Sequence, residues 1–364
     1  MIYLDYQATT PLAPQAREAM LRWLGGPESD TFGNPHSPHR MGRMAAAAVE
    51  AAREDVAALM PSGGRVVFTS GATEALNMVL LGTRGDVLTF ATEHAAVLDC
   101  ARAVEAQGRR FTVLPVLRDG RADLDALAAA LTPETGLVAI MAVNNEIGVI
   151  HPLAEAIAIA RQAGARVLVD GVQALGKLSL TPLSPDFVAV SAHKIHGPKG
   201  IGALWIGPEA GPLQPLVHGG GQEASLRSGT LSPALCAGFG AACRGVDFES
   251  GMFHVKHLWN IARDAFAGWE LNGSADHRWP GNLNIRQEGL DVARLMSDCR
   301  QVMFSAGSAC ASGSGRPSHV LRAIGLSDVQ AKSSIRLGFG RYTTEAEIVA
   351  AAAAINEGAR SQGL

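Results

Sequence analysis

From about residue 40 to residue 245, short apolar runs rich in β-branched residues alternate with alanine-rich stretches, and this alternation restricts the fold more than anything else in the chain. Strands are predicted over 65–69, 86–90, 110–114, 137–143, 165–169 and 187–190, and helices over 45–59, 73–81, 95–107, 124–131 and 153–163. Strands that are apolar at nearly every position bury both faces, and strands separated by helices pair in parallel. The expectation is an α/β fold with a mostly parallel sheet covered on both sides, its ligands bound at the carboxyl ends of the strands. After residue 245 the alternation weakens. Segments 279–285 and 334–339 read as strands of a smaller α+β unit, closed by a helix over 344–359. The predicted organisation is a large domain of residues 13–245 and a small one of residues 1–12 and 246–364.

Bulk properties exclude several function classes. The 364 residues carry a formal net charge of −3 without a lysine/arginine block, so neither nucleic acid nor an anionic membrane surface is an expected partner. Apolar runs such as 137–143 are too short to span a bilayer, and the start Met1-Ile-Tyr-Leu-Asp-Tyr-Gln7 lacks signal-peptide architecture. Five cysteines without paired short spacings argue against a disulfide framework or a zinc site and point to a reducing, cytoplasmic setting.

Four features carry chemistry. Lys194 stands where the apolar run 187–190 gives way to the glycine-rich His193-Lys-Ile-His-Gly-Pro-Lys-Gly200. A lysine at a strand end, desolvated, becomes an amine nucleophile toward an aldehyde, and pyridoxal 5'-phosphate (PLP) is the aldehyde that proteins most often hold so. The competing reading is a solvated surface lysine. Phe68-Thr-Ser-Gly-Ala-Thr-Glu-Ala75 ends a strand and opens a helix, where free N–H groups and the Thr73 hydroxyl suit a phosphate, although an ordinary helix cap reads the same way. Asp170 closes the run 165–169; a carboxylate there can keep the PLP pyridine nitrogen protonated, or act as a plain cap. An amide from Asn144-Asn-Glu-Ile-Gly148 can reach the ring oxygen, with a turn asparagine as the alternative, and His94 can stack on the ring or serve structurally. Last, Ser305-Ala-Gly-Ser-Ala-Cys-Ala-Ser-Gly-Ser-Gly315 sets Cys310 among residues that build neither core nor long helix, which predicts a mobile thiol. Cys100, Cys236, Cys243 and Cys299, in apolar or helical surroundings, read as inert.

In order along the chain these pieces resemble a cysteine desulfurase of the NifS/IscS type, in the class V branch of the fold-type I PLP enzymes. The resemblance runs through Leu4-Asp-Tyr-Gln-Ala-Thr-Thr-Pro11, Phe32-Gly-Asn-Pro35, Thr92-Glu-His94, His218-Gly-Gly-Gly221, Arg227-Ser-Gly-Thr230, Gly307-Ser-Ala-Cys310 and Ser333-Ser-Ile-Arg336, besides the motifs above. It implies seven strands in the main sheet. It also implies PLP held covalently by Lys194, with Asp170 at the pyridine nitrogen, Asn145 and Gln173 near the ring oxygen, and His94 over the ring. Ala72, Thr73, Ser191 and His193 would hold the phosphate, joined by Thr230 from the second subunit of a homodimer. Asn34 and Arg336 would bind the carboxylate of L-cysteine, which becomes L-alanine while its sulfur passes to Cys310 as a persulfide. An iron–sulfur scaffold or a thiolation enzyme would accept the sulfur; no resident metal is implied, Cys310 being at most a transient cluster ligand together with a partner. The rival readings are a selenocysteine lyase and another class V aminotransferase, neither of which needs the thiol. Ala192, Gly171, Val172 and His196 depart from the residues common in relatives. The region 245–277 is short for the family, and its His254 and His257, three apart but without carboxylate or cysteine neighbours, do not read as a metal site.

Overall fold

A computed structural model describes residues 1–307 and 317–364. After an N-terminal strand β1 (Ile2–Tyr3), seven strands form the main sheet: β2 (Arg65–Thr69), β3 (Asp86–Phe90), β4 (Phe111–Leu114), β5 (Thr135–Met141), β6 (Arg166–Asp170), β7 (Phe187–Ser191) and β8 (Gly202–Ile206). Their order is β2-β8-β7-β6-β5-β3-β4. The ladders from β7 through β6, β5 and β3 to β4 are parallel, and β8 alone runs against its neighbours β2 and β7. The residue pattern explains this double-sided sheet. In β2, β3 and β5, Val66, Phe68, Leu88, Phe90, Val138 and Ile140 pack into one core, and the intervening Val67, Val87, Leu137 and Ala139 into the other. Helices Arg40–Ala57 and Pro233–Arg244 supply Val49, Val56 and Phe239 to the first core; helix Ala72–Gly82 supplies Leu76, Val79 and Leu80 to the second.

Strand β8 has no counterpart among the predicted strands, because it follows the glycine-rich loop without a break. Its first residue, Gly202, pairs with both Ser191 and Thr69. A Cβ there would run into the Val190 carbonyl and lie 2.7 Å from Gly71 Cα, so only glycine lets β8 bring the ends of β2 and β7 together. The helix expected over 95–107 is two short ones, Ala95–Leu98 and Ala101–Glu105.

The remaining strands are β9 (Glu270–Leu271), β10 (Asn282–Arg286), β11 (Val302–Met303), β12 (Ser305–Ala306) and β13 (Ser334–Gly338). An antiparallel sheet runs β12-β13-β10-β9, and β1 pairs in parallel with β11, Ile2 opposite Val302 and Tyr3 opposite Met303. The strand expected at 279 begins at Asn282, because Trp279-Pro-Gly281 forms a turn closed by the Asn282 N–H on the Trp279 carbonyl. Thr344 and Glu347 form a capping box at the start of the final helix, Glu345–Arg360. Residues 252–257 lie within helix Phe248–Ala265, capped by Asp247. There His254 bonds to the Thr343 carbonyl and His257 to Glu345, and no metal-binding cluster exists among the described residues.

Candidate active site

At the carboxyl ends of β2, β5, β6 and β7 opens a cavity of about 540 Å³, a size suited to a cofactor with a small substrate. Ala72, Thr73, His94, Asn145, Asp170, Gln173, Ser191, His193, Lys194 and Arg336 all line it. Thr230 and Asn34 do not: both are exposed on loops outside it. Cys310 lies outside the described residues.

The lysine follows β7 in a tight turn, Ala192–Lys194. The N-terminal segment braces that turn from above. Lys194 Nζ donates to the carbonyls of Gln7 (2.5 Å) and Ala8 (2.8 Å), Thr10 Oγ1 donates to the His193 carbonyl (2.9 Å), and the His196 N–H donates to Thr10 Oγ1 (2.7 Å). Sequence reasoning gave Gln7 and Ala8 no role, although they lie inside a quoted motif; carbonyl acceptors leave no residue-type signature. His196 adopts a left-handed backbone (φ 69°), with its ring edge-on to Tyr6 and Tyr342 and bonded to the Pro11 carbonyl. Aromatic packing is thus retained at this unusual position.

Asp170 ends β6, the parallel neighbour of β7, so it and Lys194 face one space as the strand order requires. The carboxyl is buried; its Oδ1 accepts from the Val172 N–H at 2.9 Å. Burial pushes its pKa up, against that hydrogen bond and the interactions with His94 and Lys194. A hydrogen-bonding cation placed against it would relieve the penalty. Gly171 faces Val188 and Val190, whose methyl carbons lie 2.9 and 3.3 Å from where its Cβ would be.

Helix Ala72–Gly82 begins after Gly71 with no side chain capping its first turn, so the cap reading of Thr73 does not apply and the N–H groups there remain for an anion. Ser191, His193 and Lys199 line the same cavity. Burial and the charges of Lys194, Lys199 and Lys177 hold His193 neutral, at a pKa of about 4. His94 Nδ1 accepts from the Ala96 N–H (3.1 Å), capping the short helix, and burial lowers its pKa. Its neutral ring therefore carries the hydrogen on Nε2. The capping and site readings of His94 hold together.

The two asparagines divide the work. Asn144 Oδ1 accepts from Glu146 and Ile147 N–H groups and forms the turn, which leaves Asn145 on the cavity wall. Gln173 lines the cavity, but Nε2 donates to the Gln7 carbonyl (3.0 Å) and Oε1 accepts from Lys177 Nζ (2.7 Å). On the opposite wall, fully buried Arg336 projects from β13. Nη2 pairs with Asp5 (2.7 Å) and Nη1 donates to the Asn145 carbonyl (2.9 Å). Cys100, Cys236, Cys243 and Cys299 are buried free thiols; burial raises the pKa of each, that of Cys236 to about 12. The cavity thus sets an amine, a buried carboxylate, an uncapped helix start and a guanidinium around one space, a donor and acceptor set that fits PLP.

The chain belongs to the class V aminotransferase family, whose model matches residues 2–350. Its relatives within that family are cysteine desulfurases. It is 43% identical over 364 residues to the mitochondrial cysteine desulfurase of Saccharomyces cerevisiae, covering 95% of this chain and 72% of that protein. It is 42% identical to the cysteine desulfurase IscS of Rickettsia bellii, covering 95% and 88%. Among solved structures, a NifS-like protein superposes with a TM-score of 0.88 at 30% identity over 98% of both chains. One described as SspA in complex with cysteine gives 0.83 at 32% identity, over 94% of this chain and all of that one. The fold is accordingly that of the fold-type I PLP enzymes.

Proposed function

We propose that the protein is a PLP-dependent cysteine desulfurase that converts L-cysteine to L-alanine and passes the sulfur on through Cys310. The observation that carries the reading is the pairing of Lys194 and Asp170 on adjacent strand ends, facing one cavity with Arg336 opposite. PLP bound there supplies an electron sink that stabilises negative charge at the substrate Cα. Lys194 would hold the cofactor, and its Nζ would accept the substrate Cα proton. Asp170 would keep a proton on the pyridine nitrogen, and Gln173 and Asn145 would serve the ring oxygen. Ala72, Thr73, Ser191 and His193 bind the phosphate. The Arg336 fork binds the substrate carboxylate, with Asn34 contributing from its exposed loop. His94, neutral and with hydrogen on Nε2, exchanges a proton with the substrate thiol. The Cys310 thiolate would then bond to the substrate sulfur as the Cβ–S bond breaks and its electron pair stays with the carbon skeleton. A proton taken up at Cβ and the return of a proton from Lys194 Nζ to Cα complete alanine and leave a persulfide on Cys310.

The organisation we infer joins residues 1–12 to 246–364 as a small domain beside a large one of 13–245. We also infer a homodimer in which Thr230 completes the partner's phosphate site: Thr230 is exposed, and its loop is tied to the cavity rim by the Arg227–Glu74 ion pair at 2.6 Å. The proposed sulfur acceptor is an iron–sulfur scaffold or a thiolation enzyme. The proposed setting is the cytoplasm, although relatives include mitochondrial proteins; among the described residues no helix is long and apolar enough to cross a membrane.

The test is release of alanine and sulfide from L-cysteine with a reductant. Wild type turns over; Lys194→Ala loses turnover and covalent cofactor retention after borohydride; Cys310→Ala retains PLP but loses sulfide release. Full turnover by Cys310→Ala would favour a selenocysteine lyase or an aminotransferase instead.

A further inference from the structure

The cavity has a second lysine behind it. Lys177 lies four residues after Gln173, at the end of a turn-rich segment that follows β6. That segment packs closely on the lysine turn: at Gly176, with φ of 68°, a Cβ would sit 3.1 Å from Ile195 Cγ2, the residue next to Lys194. A separate cavity of about 70 Å³ is lined by Lys177 and Lys194 together, so Lys194 belongs to the walls of both spaces. The two lysines are also joined by hydrogen bonds. Lys177 Nζ donates to Gln173 Oε1 (2.7 Å), Gln173 Nε2 donates to the Gln7 carbonyl (3.0 Å), and Lys194 Nζ donates to the same carbonyl (2.5 Å).

This geometry does two things. With Oε1 committed to an ammonium, the Gln173 amide cannot flip, and one Nε2 hydrogen is left for an acceptor in the main cavity. Among the described residues no carboxylate lies within ion-pair distance of Lys177, so its charge acts on what surrounds it unneutralised. The groups that surround it are Lys194, His193 and His196, with Asp247 and Arg341 also lining the small cavity. His193 and His196 are neutral, at about 4. Lys194 additionally faces Asp170 and His94.

Resting on the PLP reading above, we propose that Lys177 is a positioning residue for the reaction: it fixes the Gln173 amide and, from behind the cofactor, disfavours positive charge at Lys194. Burial and the Lys194 charge bring Lys177 itself down to about 7, so the two nitrogens titrate as a coupled pair. The consequence is a Lys194 nitrogen that gives up its proton more readily near neutral pH, as a base at Cα must.

The test is a pH titration of the absorbance of the PLP-loaded protein, a readout independent of turnover. Lys177→Gln can still donate to Gln173 but carries no charge, and its midpoint is expected to rise by roughly half a pH unit or more. Lys177→Arg keeps the charge and is expected to stay near the wild-type midpoint. Lys177→Met loses charge and donor; it should show the same upward shift with several-fold weaker PLP binding, and it reads the shift should Lys177→Gln not fold. Neutral variants that bind PLP with an unmoved midpoint would overturn the proposal. A wild-type protein that takes up no PLP would instead overturn the desulfurase reading.

Discussion

The two walls of the cavity are built on different principles. The wall of the main sheet presents Asp170, Lys194, Thr73 and Ser191 from strand ends and the turns after them, each close in sequence to the strand that carries it. The facing wall presents Arg336 from the interior of β13, and its partner Asp5 lies 331 positions away. The first wall holds charge at a penalty: the Asp170 carboxyl is buried and its pKa raised. On the second, the buried guanidinium is ion-paired and also donates to the Asn145 carbonyl, so it joins β13 to the N-terminal strand region and to the turn after β5. In the proposed reading, one wall gives up stability for cofactor chemistry, whereas the other uses a single residue for both stability and recognition.

Substitutions on each side can break that contrast. Asp170→Asn removes a charged contact to the cofactor, so PLP affinity should fall roughly a hundredfold, or about 2.7 kcal/mol. Its apo form should melt at or above the wild-type temperature, because a folded-state pKa raised by burial marks a charged form that opposes folding. Equilibrium PLP titration and calorimetry of the apo proteins check both halves, and an apo Asp170→Asn protein that melts lower would erase the contrast. Arg336→Ala should do the reverse. Removing the buried guanidinium leaves the partly exposed Asp5 without its counter-charge and the Asn145 carbonyl without its donor, and should destabilise the apo protein by about 2–3 kcal/mol. KM for cysteine should rise as well, with PLP binding altered less than in Asp170→Asn. A denaturant melt within error of wild type would show that the Asp5 pair carries no stability.

The walls also differ in how far the sequence discloses them. Lys194, Asp170, Thr73 and Asn145 are legible because each follows an apolar run within a few residues, and local order places it at a strand end. Arg336 is reached only through the family resemblance; nothing local says that β13 runs beside the N-terminus. The bracing carbonyls of Gln7 and Ala8 are invisible for the same reason, since a main-chain acceptor has no side-chain signature. Strand β8 escapes because its antiparallel pairing depends on glycine at 202 rather than on a run of its own. Helix Phe248–Ala265 escapes because its buried face is only Val255, Leu258 and Ala262, with exposed Phe253 blurring the period.

Glu93 tests the same contrast with an effect that is smallest at acid pH. It adjoins His94, is fully buried, and accepts from the Met141 N–H at 2.8 Å through Oε1, while Oε2 has no hydrogen-bond partner among the described residues. Burial first, and then the negative field of Asp170, raise its pKa well above the ordinary carboxyl range, more than the Met141 bond lowers it. The folded protein therefore holds a proton on Glu93 that the unfolded chain releases near pH 4.3. For a group whose folded pKa is raised, the associated stability is fully present below the unfolded value and is lost as pH rises toward the folded one. Glu93→Gln mimics the protonated acid and keeps the acceptor for Met141, so it is exempt from that loss. The variant should match wild type below about pH 4 and become more stable than it above that, by roughly 1 kcal/mol within the first pH unit above the unfolded value and by more as pH rises toward the folded one. Thermal melts of the apo proteins across that range measure the gap, and parallel curves would mean that Glu93 ionises in the fold without penalty. If the gap widens as expected, and widens less in an Asp170→Asn background, the penalty on this wall is shared between its two acids.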